Sequence, residues 1–365
     1  MNMKKIIAFL LSAIVVFAFT PAVSAVSVSA QSAVLIEAES GKIIYAKDEN
    51  TRRGMASTTK IMTAIVAIEN MPLDTVVTVP AQAAGVEGSS VYLRSGEKIT
   101  LENLLYALML QSANDAAEAI AYAVGGSIEG FADMMNAKAE ELGLSNTHFE
   151  NPHGLDGETH YTTAYELALI SAYALQNETF ARIVSTEKMN IPANGEIPAR
   201  FLVNHNRLLR TYDDVIGVKT GFTKRCGRTL VSAARRDGVT LVCVTLNDGN
   251  DWQDHRELLD YGFELYESAS LAEVGSFSFD VHVVGGEADT VKAMNTDTLS
   301  LTLPKERGEI KTKTELERFI YAGTPAGNRV GRVRFFLDEK EIGEVPLYTA
   351  EEIPKKDVKR GFFGK

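Results

Sequence analysis

Residues 56–64 read ASTTKIMTA, which places Lys60 three residues after Ser57 at the head of an apolar run that continues as IVAI. A serine hydroxyl is a poor nucleophile until a base takes its proton. A lysine acts as that base only where desolvation or a neighbouring cation lowers its pKa. On a helix, residues i and i+3 are neighbours on one face, so the amine can reach the hydroxyl. Ile61, Ala64, Ile65 and Ile68 pattern as the buried face of the same helix. An apolar setting favours the neutral amine, which gives the burial of a lysine a chemical purpose. The S-x-x-K pattern is short, however, and a lysine snorkelling from a buried helix to water fits it equally well.

Two further stretches narrow the reading. QSANDAAEA, residues 111–119, puts Ser112 and Asn114 in the bend between two helical segments, where a tight turn aims both side chains at one point. The alternative is that Asn114 or Asp115 simply caps the following helix. DVIGVKTGFTKRCG, residues 214–227, carries Lys219-Thr220-Gly221 on a β-branched strand that leads into a hairpin. Glycine there lets a substrate backbone approach, so an extended peptide can lie along the strand edge. A charged edge strand that discourages aggregation is the alternative. A lysine at 219 close to Lys60 would lower the pKa of Lys60 by like-charge repulsion and offer an anionic carboxylate a partner.

The elements that must hold these groups are legible in outline. AVLIEAESGKIIYAKDEN reads as a hairpin turning at Ser40-Gly41, and RTLVSAARRDGVTLVCVTL as a second hairpin turning at Asp237-Gly238. Helical patterns fall at 59–70, 101–110, 115–123, 127–142, 163–175 and 254–267. From about residue 272 the texture changes: SFSFDVHVV, TLSLTLP, GRVRFFLD and KEIGEVPLY alternate apolar and polar residues, as expected of a small all-β unit. In the second hairpin Cys243 faces residue 232, which leaves Cys226 roughly 20 Å away along the strand at ~3.3 Å per residue. No disulfide between them is expected, and Cys226 is read as packing.

The 365 residues suit two domains. Residues 1–25 read as an export signal, with Lys4 and Lys5 before an apolar run from Ile6 to Thr20 and cleavage expected after Ala25 or Ala30. The run is shorter than the ~20 residues that span a bilayer. Losing residues 1–25 removes two lysines and no acid, taking the net charge from −11 to −13. Nucleic acid is therefore not an expected partner. The tail KKDVKRGFFGK is locally basic and suited to touching an anionic membrane surface, or to fraying in solvent.

S-x-x-K, S-x-N and K-T-G occur in this order, with 52 residues from Lys60 to Ser112 and 105 from Asn114 to Lys219. Penicillin-binding proteins and class A β-lactamases carry such a set, with S-D-N as its middle element. Together with GSSVYLRSGEKITLENLLYALMLQSANDAAEAIA, NPHGLDGETHYTTAYELALI and GVKTGFT, these motifs make the chain resemble the serine-type D-alanyl-D-alanine carboxypeptidases, the low-molecular-mass penicillin-binding proteins. The resemblance covers nearly all of residues 31–350.

It implies an α/β (α+β) penicillin-binding/β-lactamase-like transpeptidase domain over residues 31–270, an antiparallel sheet with helices. A small all-β, sandwich-like domain over 272–350 and a basic tail over 351–365 would follow. Ser57 would be the acylated nucleophile, Lys60 its base, and Ser112 the relay of a proton to the leaving D-alanine. Asn114 would bind the substrate amide, and Lys219 and Thr220 the terminal carboxylate. Gly221 would let the substrate backbone approach, and the backbone N–H groups of Ser57 and Phe222 would form the oxyanion hole. The implied partners are peptidoglycan stem peptides ending in D-Ala-D-Ala and β-lactam antibiotics, with no cofactor or metal and an extracytoplasmic location. Family members usually end in an amphipathic membrane-anchoring helix, for which the tail ending in GFFGK is too short.

Other readings fit less well. The six histidines fall in no H-E-x-x-H spacing, and His148, His153 and His160 sit in loop-like sequence. Residues 217–220 are no phosphate loop, because no glycine directly precedes Lys219. Asp156 and Glu158 read as a polar loop at the cleft rim, while Arg207 and Arg256 are possible additional carboxylate contacts. A β-lactamase of class A would add a glutamate with an asparagine four residues on, but Glu166 is followed by Ile170. A β-lactam sensor or a wall-binding protein without turnover shares the acylation motifs.

Overall fold

The computed structural model describes residues 26–356. Residues 1–25, read from the sequence as an export signal, and the last nine residues, which hold most of the basic tail, lie outside the described residues.

A five-stranded antiparallel sheet organises the first two-thirds of the chain. Its order is Ile43–Lys47, Ser32–Glu37, Val239–Leu246, Gly227–Arg236 and Val215–Thr223, so the K-T-G segment forms an edge strand. Ser32–Glu37 is buried at every residue. Its alternate side chains serve different cores, with Val34 and Ile36 on one side and Ala33 and Leu35 on the other. Such double-sided burial explains a strand that reads as continuously apolar. The two hairpins turn where expected, and Ser232 pairs with Cys243. Both cysteines are free.

One face is covered by six helices: α1 (Lys60–Asn70), α2 (Leu101–Leu110), α3 (Asn114–Gly125), α4 (Ile128–Glu141), α5 (Ala164–Leu175) and α6 (Glu178–Ser185). The seventh, α7 (Asp251–Leu265), packs Leu258, Leu259 and Phe263 on the other face. Several starts are set by caps. The hydroxyl of Ser127 accepts from the N–H of Gly130, that of Thr163 from Glu166, and the Asn177 amide oxygen from Thr179 and Phe180. Helix α6 is absent from the sequence reading because eight residues hold barely two turns. Its buried Phe180, Ile183 and Val184 nonetheless make the expected i, i+3, i+4 face. Helix α7 starts three residues earlier than expected and ends at Leu265, because Tyr266–Ala272 is a strand paired with Leu299–Pro304.

The remaining chain is all β. A six-stranded sheet, ordered Lys311–Leu316, Arg329–Leu337, Lys340–Thr349, Thr290–Met294, Ser278–Val284 and Phe319–Tyr321, is joined by the Tyr266–Ala272/Leu299–Pro304 pair. Val281, Val291, Val333, Phe335, Val345 and Leu347 form its core. The alternation of the sequence, one face in and one out, is what such a sheet requires.

Phe180 is wholly buried. Phe180→Ala is expected to lower the unfolding free energy by about 3–5 kcal/mol, read from urea transitions. A change below about 1 kcal/mol would show that α6 is not packed as described.

Candidate active site

Ser57 sits in a 3-10 turn, Ala56–Thr59, that runs directly into α1. The sequence reading placed Ser57 and Lys60 on one α-helix, whereas the pair straddles the junction. A 3-10 turn stacks i over i+3, so the two side chains align even more directly. The turn is tied down on several sides. The Thr58 hydroxyl donates to the Met55 carbonyl (2.6 Å) and the Thr229 hydroxyl to the same oxygen (3.1 Å). The Thr59 hydroxyl donates to the Ala56 carbonyl (2.8 Å) and lies 2.7 Å from His160 Nε2. Ala56 adopts φ +47°, a left-handed conformation that costs a non-glycine residue about 1–3 kcal/mol. Those anchors hold it there.

Lys60 is fully buried. Its Nζ lies 3.0 Å from Ser57 Oγ, 2.7 Å from Asn114 Oδ1 and 2.6 Å from the His153 carbonyl. The last two groups can only accept. A neutral amine has two N–H bonds and one lone pair, so donating to Asn114 and His153 leaves the lone pair for the Ser57 hydroxyl. Desolvation, reinforced by Lys219 and opposed by Asp115, pushes the pKa of Lys60 well below that of an ordinary lysine. The NPHG segment, residues 151–154, is tied to α1 a second time: Thr63 donates to the Pro152 carbonyl (2.6 Å).

The bend at 111–113 delivers the second motif. Ser112 adopts φ +58° and lines the same cleft as Ser57, while Asn114 begins α3. Asn114 does not cap that helix with its side chain. Its oxygen faces Lys60, its Nδ2 donates to the Glu87 carbonyl (2.6 Å), and its N–H donates to Ser89 (2.7 Å). Asp115, buried beside it, accepts from Ser90 Oγ (2.7 Å) and from the N–H groups of Val91 (3.3 Å) and Leu93 (2.9 Å). The D of S-A-N-D therefore fastens the 89–93 loop over the cleft.

The K-T-G edge strand closes the other side. A Cβ on Gly221 would come within 2.9 Å of Ser57 N and 2.4 Å of Thr229 Oγ1, so only glycine lets the strand lie this close to the Ser57 turn. Lys219 is buried, donates to the Thr220 carbonyl (2.9 Å), and is pushed by burial down to about 7. Ser57, Ser112, Thr220, Gly221 and Phe222 together border an open cleft of ≈ 520 Å³. Phe222 is exposed at its mouth.

Arg207 and Arg256 lie outside that cleft, which instead contains Arg228, Asp251, His205 and Trp252. Arg228 is paired with Asp251 (2.8 and 3.0 Å), and its guanidinium stands 5.7 Å from the indole ring of Trp252. Sequence reasoning missed this group. The chain's single tryptophan was the available signal, since Trp pairs a large apolar face with an N–H donor and is enriched at contact surfaces. Asp156 accepts from the Thr223 hydroxyl (2.9 Å) and sits 3.1 Å from Cys226 Sγ, propping the turn after the K-T-G strand. Burial pushes the Cys226 thiol up, in keeping with a packing role. Glu166 is spent on the N–H of Asn146 (2.9 Å) and the Thr147 hydroxyl (2.5 Å), as a structural anchor.

Such a fold, with a serine hydroxyl, a desolvated lysine and an edge strand around one cleft, defines a serine-type peptidase of the penicillin-binding kind. The chain belongs to the D-alanyl-D-alanine carboxypeptidase family, whose model matches residues 19–250. The C-terminal domain of penicillin-binding protein 5 matches residues 266–355. The D-alanyl-D-alanine carboxypeptidase DacF of Bacillus subtilis is 30% identical over 323 residues, covering 86% of this chain and 83% of DacF. DacA of Escherichia coli is 31% identical over 340 residues, or 88% of this chain and 82% of DacA. Penicillin binding protein 5 from Haemophilus influenzae superposes with a TM-score of 0.70 at 27% identity, covering 90% of this chain and 98% of that one. The expected fold, a penicillin-binding catalytic unit followed by an all-β domain, is thus borne out.

Gly154 has φ +90°, and a Cβ there would stand 1.9 Å from the Ala56 carbonyl oxygen, under the 56–59 turn. Gly85 has a similar φ of +84° but open space around it. Gly154→Ala is expected to destabilise by at least ~2 kcal/mol more than Gly85→Ala, measured by denaturant unfolding. Equal costs would contradict the packing of the 151–155 segment against the turn.

Proposed function

We propose that this peptidase removes the terminal D-alanine from peptidoglycan stem peptides through an acyl-enzyme on Ser57. The observation that carries the reading is the Lys60 amine, fully buried and 3.0 Å from Ser57 Oγ, with its other hydrogens directed to Asn114 and His153. Lys60 takes the hydroxyl proton as Ser57 Oγ attacks the penultimate D-Ala carbonyl. The N–H groups of Ser57 and Phe222 receive the oxyanion, and losing one such donor commonly costs ~2.7–4 kcal/mol. Ser112 passes the proton to the departing D-alanine nitrogen, Asn114 and the Gly221 edge hold the peptide backbone, and Lys219 with Thr220 holds the carboxylate. Water then opens the ester.

Lys219 has a second task in this scheme. Its pKa near 7 in the free cleft rises when a substrate carboxylate arrives, because an opposite charge favours the ammonium. A charged Lys219 in turn discourages protonation of Lys60. β-Lactams, which present a carboxylate and a strained amide in the same relation, would acylate Ser57 by the same route.

Residues 31–270 would be the catalytic unit and 272–350 the β domain, on an exported protein working outside the cytoplasmic membrane. Among the described residues no helix is long and apolar enough to cross a membrane. The basic tail would add a peripheral contact with that membrane.

Purified residues 31–365 are expected to release D-alanine from a peptide ending in D-Ala-D-Ala and to bind labelled penicillin covalently. Ser57→Ala should abolish both, and Lys60→Gln should slow acylation by roughly 10²–10⁴-fold. Covalent labelling without D-alanine release would indicate a sensor, and rapid penicillin hydrolysis a β-lactamase.

A further inference from the structure

The loop that Asp115 fastens carries a residue with no task inside the fold. Ser89 borders the cleft, and its carbonyl accepts the Asn114 N–H, so the loop begins at the site itself. Three residues on, Tyr92 adopts φ +58°, a conformation that is sterically unfavourable for a bulky side chain. It is 83% exposed, more than any other large apolar side chain among the described residues. A strained ring in solvent adds nothing to the core.

The backbone around that ring is nonetheless held from both sides. Val91 and Leu93 are buried, and both give their N–H groups to Asp115. The Tyr92 N–H donates to Ser90 Oγ (2.9 Å), which itself donates to Asp115 (2.7 Å). From the other side Arg200 donates to the carbonyls of Val91 (2.8 Å) and Tyr92 (3.2 Å). Its guanidinium is fixed in turn by a two-pronged pair with the buried Glu97 (2.6 and 2.7 Å). Two buried acids and an arginine thus immobilise one backbone unit that displays an aromatic ring to solvent.

We propose that Tyr92 is a platform for a pyranose ring of the glycan strand to which the stem peptide is attached, so that the enzyme grips the wall polymer as well as the peptide end. The inference rests on the carboxypeptidase reading, in which the D-Ala-D-Ala end fills the cleft and the rest of the substrate leaves over its rim. Tyr92 does not border the cleft, so it is placed for the part of the substrate that does not react. One ring suits one sugar. The C–H face of a pyranose is apolar and matches a phenol ring in size, and the sugar hydroxyls can meet the tyrosine O–H. A protein partner needs a contiguous patch on the order of 800 Å² per side. Here the residues flanking Tyr92 are buried, and Ser89, Arg94 and Ser95 beyond them are exposed and polar. The anchoring also has a purpose on this account, because a ring on a fixed backbone loses little freedom when a ligand stacks on it.

The test follows D-alanine release by the full exported chain from two substrates, uncross-linked glycan strands bearing D-Ala-D-Ala stem peptides and the free stem pentapeptide. Tyr92→Ala is expected to lower kcat/KM on the strands about tenfold, chiefly through KM, and on the free peptide by less than about twofold, the pattern of lost uniform binding. Tyr92→Phe should keep most of the wild-type rate on the strands. Tyr92→Gly should lose as much as Tyr92→Ala while its thermal unfolding midpoint stays level or rises, because glycine adopts positive φ without strain. Equal losses on both substrates would overturn the proposal and set the ring against the stem peptide. Unchanged turnover of both would overturn it as well. So would a fall of several degrees in the midpoint of Tyr92→Gly, which would make the ring a structural element. Failure of the wild type on both substrates would overturn the carboxypeptidase reading, and the proposal with it.

Discussion

The structure turns on an amine held away from water. A charged lysine in a dry interior carries a desolvation penalty of several kcal/mol unless it is fully paired. Lys60 has no carboxylate among its hydrogen-bond partners, only an amide oxygen, a backbone carbonyl and the serine. The cheapest way for the protein to bury it is to leave it neutral, and a neutral lysine beside a hydroxyl is a base. The 3-10 turn, the bend at Ser112 and the NPHG segment each place one group around that amine. None of the three is a regular helix or strand interior. Two of the residues involved, Ala56 and Ser112, have positive φ, so the site is assembled from backbone conformations that the surrounding α1, α3 and sheet contacts must enforce.

Electrostatics then divide the labour between two buried lysines. Lys60 and Lys219 share one interior, and burial pushes both below the ordinary lysine range. They cannot both be charged cheaply. In the proposed scheme, an anionic substrate would fix the proton on Lys219. The edge strand lies against the Ser57 turn because Gly221 carries no side chain, and the Asp156, Thr223 and Cys226 contacts brace the strand's far end.

The apolar periods of α1, α2 and α5, the two hairpins and the alternating C-terminal strands were readable because each buries one face or both. The three motifs were readable because reactive side chains at fixed spacing are rare. Other features left no trace in residue type. The His153 carbonyl that orients Lys60 is a backbone group, and any residue could supply it. Asp115 looked like a cap because an acid in the first turn of a helix usually is one, whereas here it reaches back to the 89–93 loop. The Arg228–Asp251 pair joins residues 23 apart on a strand and a helix, a contact that only the packing of α7 on the sheet creates.

The most direct test of this account is the titration of Lys60 itself, by NMR of ¹³Cε-labelled lysine with the resonance assigned through its loss in Lys60→Arg. A midpoint well below 10.5, the value for an ordinary lysine, is the predicted result. A midpoint at or above 10.5 would mean that the amine keeps its proton, and the proposed base would not exist.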